Sequence, residues 1–87
     1  MAYQVTVEKR VEKYLRRLPL KRYQKISNLI HELKDFPGVN ADVVPLKGKY
    51  KGKSYRLRVG GWRILFTVEA KTKTIQVWKI DTRGDIY

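Results

Sequence analysis

The chain has 87 residues and a formal net charge of +12, with 20 lysines and arginines against 8 acidic residues. This length predicts one small domain, residues 1–87, with a thin core that must be well packed. The charge favours a polyanionic partner, and the absence of cysteine excludes disulfides and thiolate metal sites. The single histidine, His31, excludes a site built on several histidines, so we expect neither metal nor cofactor.

The first 38 residues predict a strand and two helices. Apolar and polar residues alternate over residues 3–7, as is typical of a half-buried strand. Apolar residues then recur at helical spacing over residues 8–18, until Pro19 ends this first helix. A second helix is expected from about residue 20 to residue 35, because apolar residues recur at helical spacing there and Pro37-Gly38 then ends the helix. The short connection predicts an antiparallel helical hairpin.

The middle of the chain concentrates its positive charge in a glycine-rich segment. Residues 39–44 are expected to be irregular, and a short strand could begin at Pro45-Leu46-Lys47. Every charged residue between Leu46 and Ile64 is basic. Four lysines of this segment alternate with glycine, tyrosine or serine: Lys47, Lys49, Lys51 and Lys53.

Gly60-Gly61 stands between two alternating runs, which predicts a two-residue β-hairpin. The predicted pairs are Tyr55 with Phe66, Arg56 with Leu65, Leu57 with Ile64, Arg58 with Arg63 and Val59 with Trp62. Directly opposed residues share one side of a sheet, so the apolar residues form a core face and the arginines occupy the other face. The two opposed arginines repel each other, which indicates either a bound anion or a solvated face with splayed side chains.

A last strand is expected over residues 75–80, after a polar turn. Its inward face is ambiguous, because Ile75 and Val77 indicate one face while Trp78 and Ile80 indicate the other. The elements together predict an α+β fold in the order β-α-α-β-β-β-β. An antiparallel meander forms most of its sheet, and the two helices pack on one face. With no run of 18 apolar residues and no signal-peptide pattern, we expect a cytoplasmic protein without a membrane segment.

Two motifs resemble the RelE/ParE superfamily of small bacterial and archaeal toxins. One is the hairpin Y-R-L-R-V-G-G-W-R, preceded by Leu46-Lys47-Gly48, and the other is the tail T-R-G-D-I-Y. The resemblance covers nearly the whole chain. It implies a toxin of a toxin–antitoxin system, since RelE-type members are ribosome-dependent ribonucleases that cut mRNA and ParE-type members inhibit DNA gyrase.

The resemblance also implies site residues. Arg56 and Arg58 correspond to basic residues around the scissile phosphate, and Arg63 to an arginine of the second hairpin strand. In the tail, Arg83 matches the family's arginine, and Tyr87 matches a tyrosine that takes part in proton transfer or stacks on a base. ParE-type members generally lack this full set, so its presence favours the ribonuclease.

Physical chemistry supports such a site independently. RNA supplies its own nucleophile, the 2′-hydroxyl, so the protein needs to orient it, remove its proton and stabilise the phosphorane. Arginines two apart on a strand lie about 6.6 Å apart on one side, close to the spacing of successive phosphates. Arginine is too basic to accept the proton, which leaves Tyr87, favoured here, or Lys79, Lys53 or another loop lysine. The lysines of the glycine-rich segment and Lys79 are expected to bind RNA or the ribosome without sequence preference.

The implied partners are the ribosome with its mRNA and an acidic, partly disordered antitoxin, which could assemble with the toxin as a heterotetramer. Such an antitoxin could cover the arginine face or displace the tail. Two other functions stay open at this point. One is a gyrase-inhibiting toxin of the ParE type, and the other is a basic nucleic-acid-binding domain that no longer cuts.

Overall fold

The computed structural model describes residues 2–39, 42–46 and 53–82 of the chain. Its elements are β1 (Gln4–Val7), α1 (Lys9–Arg16), α2 (Leu20–Glu32), a 3₁₀ turn (Leu33–Asp35), β2 (Asp42–Pro45), β3 (Lys53–Val59), β4 (Trp62–Glu69) and β5 (Thr74–Thr82). This β-α-α-β-β-β-β order confirms the predicted α+β fold. Of the helices in these ranges, none has the length and apolar character needed to span a membrane.

The five described strands form one mixed sheet in the order β1-β5-β4-β3-β2. Strands β2 to β5 are an antiparallel meander, while β1 lies parallel to β5 at the far edge. The two helices lead from one edge of the sheet to the other and pack against one of its faces. Trp62 fixes α1 to this face, because its indole Nε1 donates a hydrogen bond of 3.1 Å to the Tyr14 hydroxyl.

The core lies between the helices and this face of the sheet. Three aromatic rings pack together at one side of it: the half-buried Phe36 ring, just after the 3₁₀ turn, lies 4.9 Å from the half-buried Tyr55 ring and 5.9 Å from the buried Phe66 ring. Because both helices and the central strands contribute to it, losing one large side chain affects the whole domain. The buried apolar side chains are Val11, Leu15, Ile26, Ile30, Leu33, Leu57, Ile64, Phe66, Val68, Ile75 and Val77.

The β3–β4 hairpin has the predicted register at all five pairs, from Tyr55 opposite Phe66 to Val59 opposite Trp62. Only the first turn glycine has a positive φ, since Gly60 is at +57°. An L side chain at that angle places its Cβ too close to the following carbonyl oxygen. The turn therefore requires glycine at its first central position and not at its second.

This difference gives a matched pair of substitutions. Gly60→Ala is expected to lower the free energy of unfolding by about 1–2 kcal/mol, because alanine is strained in the left-handed region. Gly61→Ala should change it by less than about 0.5 kcal/mol, since a Cβ there meets no atom within 4 Å. Urea unfolding of both variants measures the difference. Equal losses would contradict the assignment of the turn strain to Gly60.

Two boundaries differ from the sequence predictions by three residues, and the other ends of helices and strands differ by two or fewer. The prediction that residues 39–44 are irregular is wrong for residues 42–44, because β2 already begins at Asp42. Val43 lies opposite Leu57 and packs against the core, so pairing with β3 extends a segment whose local pattern is weak. Pro45 is tolerated because β2 is an edge strand. The second helix ends at Glu32 and tightens into the 3₁₀ turn for its last three predicted residues.

Strand β5 contains a bulge that explains its ambiguous pattern. Val77 lies opposite Phe66, but Lys79 lies opposite Leu65, so Trp78 is the additional residue of the bulge. The alternation therefore changes phase at Trp78. Val77 before the bulge and Ile80 after it both face the core, which no unbroken alternation allows.

Candidate functional site

The basic residues of the hairpin lie on the face of the sheet opposite the helices, here called the outer face. Arg58 and Arg63 are directly opposed, and they alternate with the buried pair Leu57 and Ile64. Both guanidinium groups therefore project from the same side of the sheet. The apolar core lies on the opposite side of the sheet, beneath the helices.

These two arginines belong to a row of four charged residues that crosses the sheet. Asp42 on β2 lies opposite Arg58, and Asp81 on β5 lies opposite Arg63. Arg58 Nε is 3.3 Å from Asp42 Oδ2, and Arg63 Nε is 3.4 Å from Asp81 Oδ1. The chain itself thus supplies an anion for each arginine, which sequence analysis left to an external ligand or to solvent. We call these four residues the charge row.

A second row lies next to the charge row on the outer face. Arg56 stands between Val44 and Leu65, and Lys79 follows on β5 opposite Leu65. The Nε atom of Arg56 is buried and has no hydrogen-bond partner in the part of the chain that the structure describes. A buried donor of this kind favours a polar ligand, because leaving it unpaired is unfavourable. Three arginines and one lysine therefore share this face.

A polar cluster follows beyond the second row, and sequence analysis did not find it. The hydroxyl oxygens of Ser54 and Thr67 lie 2.9 Å apart, and Trp78 Nε1 donates a hydrogen bond of 3.0 Å to the Thr67 hydroxyl. Ser54 is buried at 5% exposure although it lies on the outer face. The cluster holds the bulge residue Trp78 against β4. The other tryptophan, Trp62, packs against the core as predicted.

The remaining predicted site residues are separated from this face or lie outside the described part. Lys53 lies opposite Val68 and alternates with Ser54, so it belongs to the helix side of the sheet. The role of Lys53 in RNA binding stays a prediction, but the residue does not share a face of the sheet with Arg56, Arg58 and Arg63. The predicted site residues outside the described ranges are Lys47, Lys49, Lys51, Arg83 and Tyr87.

The outer face is suited to bind a polyanion. Guanidinium groups offer forked donors that match phosphate oxygens, and two adjacent rows can contact more than one phosphate of a strand. Across the described ranges, no three His, Asp or Glu side chains come together in a way that could hold a metal ion. The arginines and the lysine of this face carry the positive charge that a bound anion would meet.

Comparison with known proteins identifies the family. No family model matches the chain. A protein of Methanocaldococcus jannaschii assigned as toxin RelE1 is 34% identical over 89 aligned residues, which cover 100% of this chain and 97% of that protein. The chain belongs to the RelE family of toxins. The predicted resemblance is confirmed, and it extends over the whole chain.

Solved structures agree with RelE membership. A chain in the crystal structure of the archaeal RelE–RelB complex from Pyrococcus horikoshii has 32% identity and a TM-score of 0.82, covering 97% of this chain and 98% of its own. A chain in the RelB–RelE antitoxin–toxin complex from Methanococcus jannaschii has 27% identity and a TM-score of 0.71, with 94% of each chain covered. The isolated E. coli RelE toxin, at 18% identity and a TM-score of 0.71, covers 93% of this chain and 84% of its own and shows the shared fold.

Proposed function

We propose that this RelE-family chain is the toxin of a toxin–antitoxin pair and cleaves mRNA on the ribosome. The observation that carries the proposal is the outer face, on which Arg56, Arg58 and Arg63 lie on adjoining strands of a RelE fold. Such a face suits a phosphodiester better than a neutral substrate. The action of the chain would lie in the cytoplasm, where mRNA is translated.

The proposed reaction is attack by the RNA 2′-hydroxyl on the adjacent phosphorus. A bond forms from the 2′-oxygen to phosphorus and the bond from phosphorus to the 5′-oxygen breaks. The products are a 2′,3′-cyclic phosphate and a 5′-hydroxyl. The phosphorane carries more negative charge than the substrate, so arginines aimed at it favour the transition state over the ground state. Arg56, Arg58 and Arg63 take this role in the proposal, together with Arg83 from the tail.

Proton transfer requires a different group, because arginine stays protonated. Tyr87 is our first candidate for the base and Lys79, on the same face as Arg56, is the second. Lys53 is less favoured, since it belongs to the helix side. The ribosome would hold the RNA in line, which accounts for a nuclease without a pair of histidines.

We further propose that the reaction needs no metal at the scissile phosphate, because arginines supply the positive charge there. Chelation cannot test this, since ribosomes need magnesium. A phosphorothioate at the scissile position provides the test: manganese is expected to give no rescue of the slowed cleavage. Rescue by manganese would show a metal ion on that oxygen.

The proposed protein partner is an antitoxin of the RelB type. Two similar structures are complexes of RelE with RelB. A net charge of +12 favours an acidic chain, which could cover the outer face in an assembly such as a heterotetramer. Antitoxin bound there would block access of RNA to the arginines.

Primer extension on mRNA in a translating extract tests the function. We expect new 5′ ends inside the coding region when chain and ribosomes are both present, and intact message when ribosomes are removed. The new ends should accept phosphate from polynucleotide kinase directly, because they carry a 5′-hydroxyl. Intact message together with gyrase-dependent DNA breaks would overturn the proposal in favour of the ParE-type activity. Salt-sensitive RNA binding without either effect would indicate a domain that no longer cuts.

A further inference from the structure

The charge row has a feature that the proposed reaction does not require. Its order across the four strands is Asp42, Arg58, Arg63, Asp81, so its formal charge is zero. The two arginines are directly opposed and repel each other, and each carboxylate offsets one of them. Repulsion between the two arginines suggested a bound external anion, but Asp42 and Asp81 already reduce this repulsion.

Both ion pairs are of a weak and displaceable kind. Each is joined through one Nε nitrogen, at 3.3 Å for Arg58 and 3.4 Å for Arg63. All four side chains are 35–52% exposed, so solvent screens the attraction. A phosphate on the side of the guanidinium formed by Nε and one Nη makes two parallel hydrogen bonds, the stronger arrangement, and takes the position that the carboxylate occupies. RNA can therefore displace either carboxylate, but it must compete with it.

Arg56 provides an internal contrast. It lies two residues from Arg58 on the same face, yet no carboxylate among the described residues pairs with it. The face thus combines one arginine without an anion and two arginines that already have one.

We propose that Asp42 and Asp81 are placeholder anions, which RNA phosphates must displace from Arg58 and Arg63 before the strand can bind. The inference rests on the proposed function, and it names the selectivity of that same site. A chain with a net charge of +12 would otherwise bind any cellular RNA. The competition weakens binding of free RNA, whereas mRNA on a ribosome that has docked the toxin is held at high effective concentration and overcomes it.

Binding of the purified chain to a short single-stranded RNA tests the competition. The probe carries 2′-O-methyl groups, which prevent cleavage, and fluorescence anisotropy is recorded over a range of salt concentrations. Asp42→Asn and Asp81→Asn are each expected to tighten binding about threefold, and the double variant about tenfold. The log–log salt dependence should steepen by about 0.7 for each released arginine.

Asp35→Asn is the matched control, because it makes the same substitution at an exposed position in the helical layer. It changes the net charge by the same amount and should leave the affinity within about 1.5-fold, since screening confines the effect of a distant charge. An equal gain in Asp35→Asn would overturn the proposal, because net charge alone would then explain the tighter binding.

Cleavage on ribosomes gives the second readout. A displaced carboxylate acts only before RNA binds, so both Asn variants should reach half-saturation at lower toxin concentration with an unchanged limiting rate. A lower limiting rate, or unchanged affinity in the anisotropy experiment, would overturn the proposal. The binding experiment uses no ribosomes, so it decides the question even if the wild-type chain fails to cut mRNA and the proposed function is wrong.

Discussion

Arg63→Ala is expected to slow mRNA cleavage on the ribosome by about 100- to 1,000-fold, the usual effect of removing one donor that stabilises an oxyanion. Arg63 lies on the outer face, directly opposite Arg58 and one row from Arg56. Its pair with Asp81 is more than a third exposed and screened by solvent, so the free energy of unfolding should fall by less than about 1 kcal/mol. Single-turnover cleavage with saturating toxin measures the rate, and urea unfolding measures the stability.

Two further variants separate position from charge. Arg63→Lys keeps the charge but lacks the planar fork, so its rate should lie between those of wild type and Arg63→Ala. Arg17→Ala removes one positive charge from an exposed residue at the end of α1 and should cleave within about twofold of wild type. If Arg17→Ala lost as much activity as Arg63→Ala, total charge rather than this site would drive cleavage.

Phe66→Ala is expected to lower the free energy of unfolding by about 3–5 kcal/mol. The side chain is fully buried, stacks on the Tyr55 ring at 5.7 Å and meets the edge of the Phe36 ring. Neither neighbour can fill the space without leaving its own contacts, so a cavity remains between helices and sheet. The free energy of unfolding of a small domain is only about 5–15 kcal/mol in total. A loss of this size should therefore lower Tm by roughly 20 °C.

Leu20→Ala is the control for this prediction, since Leu20 is 68% exposed at the start of α2. Its removal should change the free energy of unfolding by less than about 0.5 kcal/mol. Thermal unfolding followed by circular dichroism compares the two variants. A loss below about 1.5 kcal/mol for Phe66→Ala would show that the core repacks, contrary to the close contacts of its three rings.

Much of the fold was predictable because its signals are local. Gly60-Gly61 and the alternation on either side of it define the hairpin register without help from the rest of the chain. The helices were found from apolar spacing and from Pro19, and their ends moved by no more than a few residues. Once the register was known, the shared face of Arg58 and Arg63 followed.

The partners of those arginines were not predictable, because they depend on which strands are neighbours. Asp42 meets Arg58 only because β2 pairs with β3 over a segment that appeared irregular. Asp81 meets Arg63 only because the β4–β5 pairing skips Trp78 at the bulge. No local pattern in one sequence reveals either pairing. The Ser54 and Thr67 hydroxyls were missed for the same reason, since short polar side chains on an outer face are ordinarily solvated.

The bulge in β5 determines both which side chains enter the interior and which meet the outer-face arginines, because it sets the register of every residue after Trp78. If Trp78 instead paired regularly with Leu65, Lys79 would lie opposite Ile64 and Ile80 opposite Arg63. A lysine amine would then point into the apolar interior, and an isoleucine would replace the carboxylate beside the arginine. Skipping Trp78 in the pairing therefore keeps Ile80 in the apolar interior and Asp81 beside Arg63 at the same time.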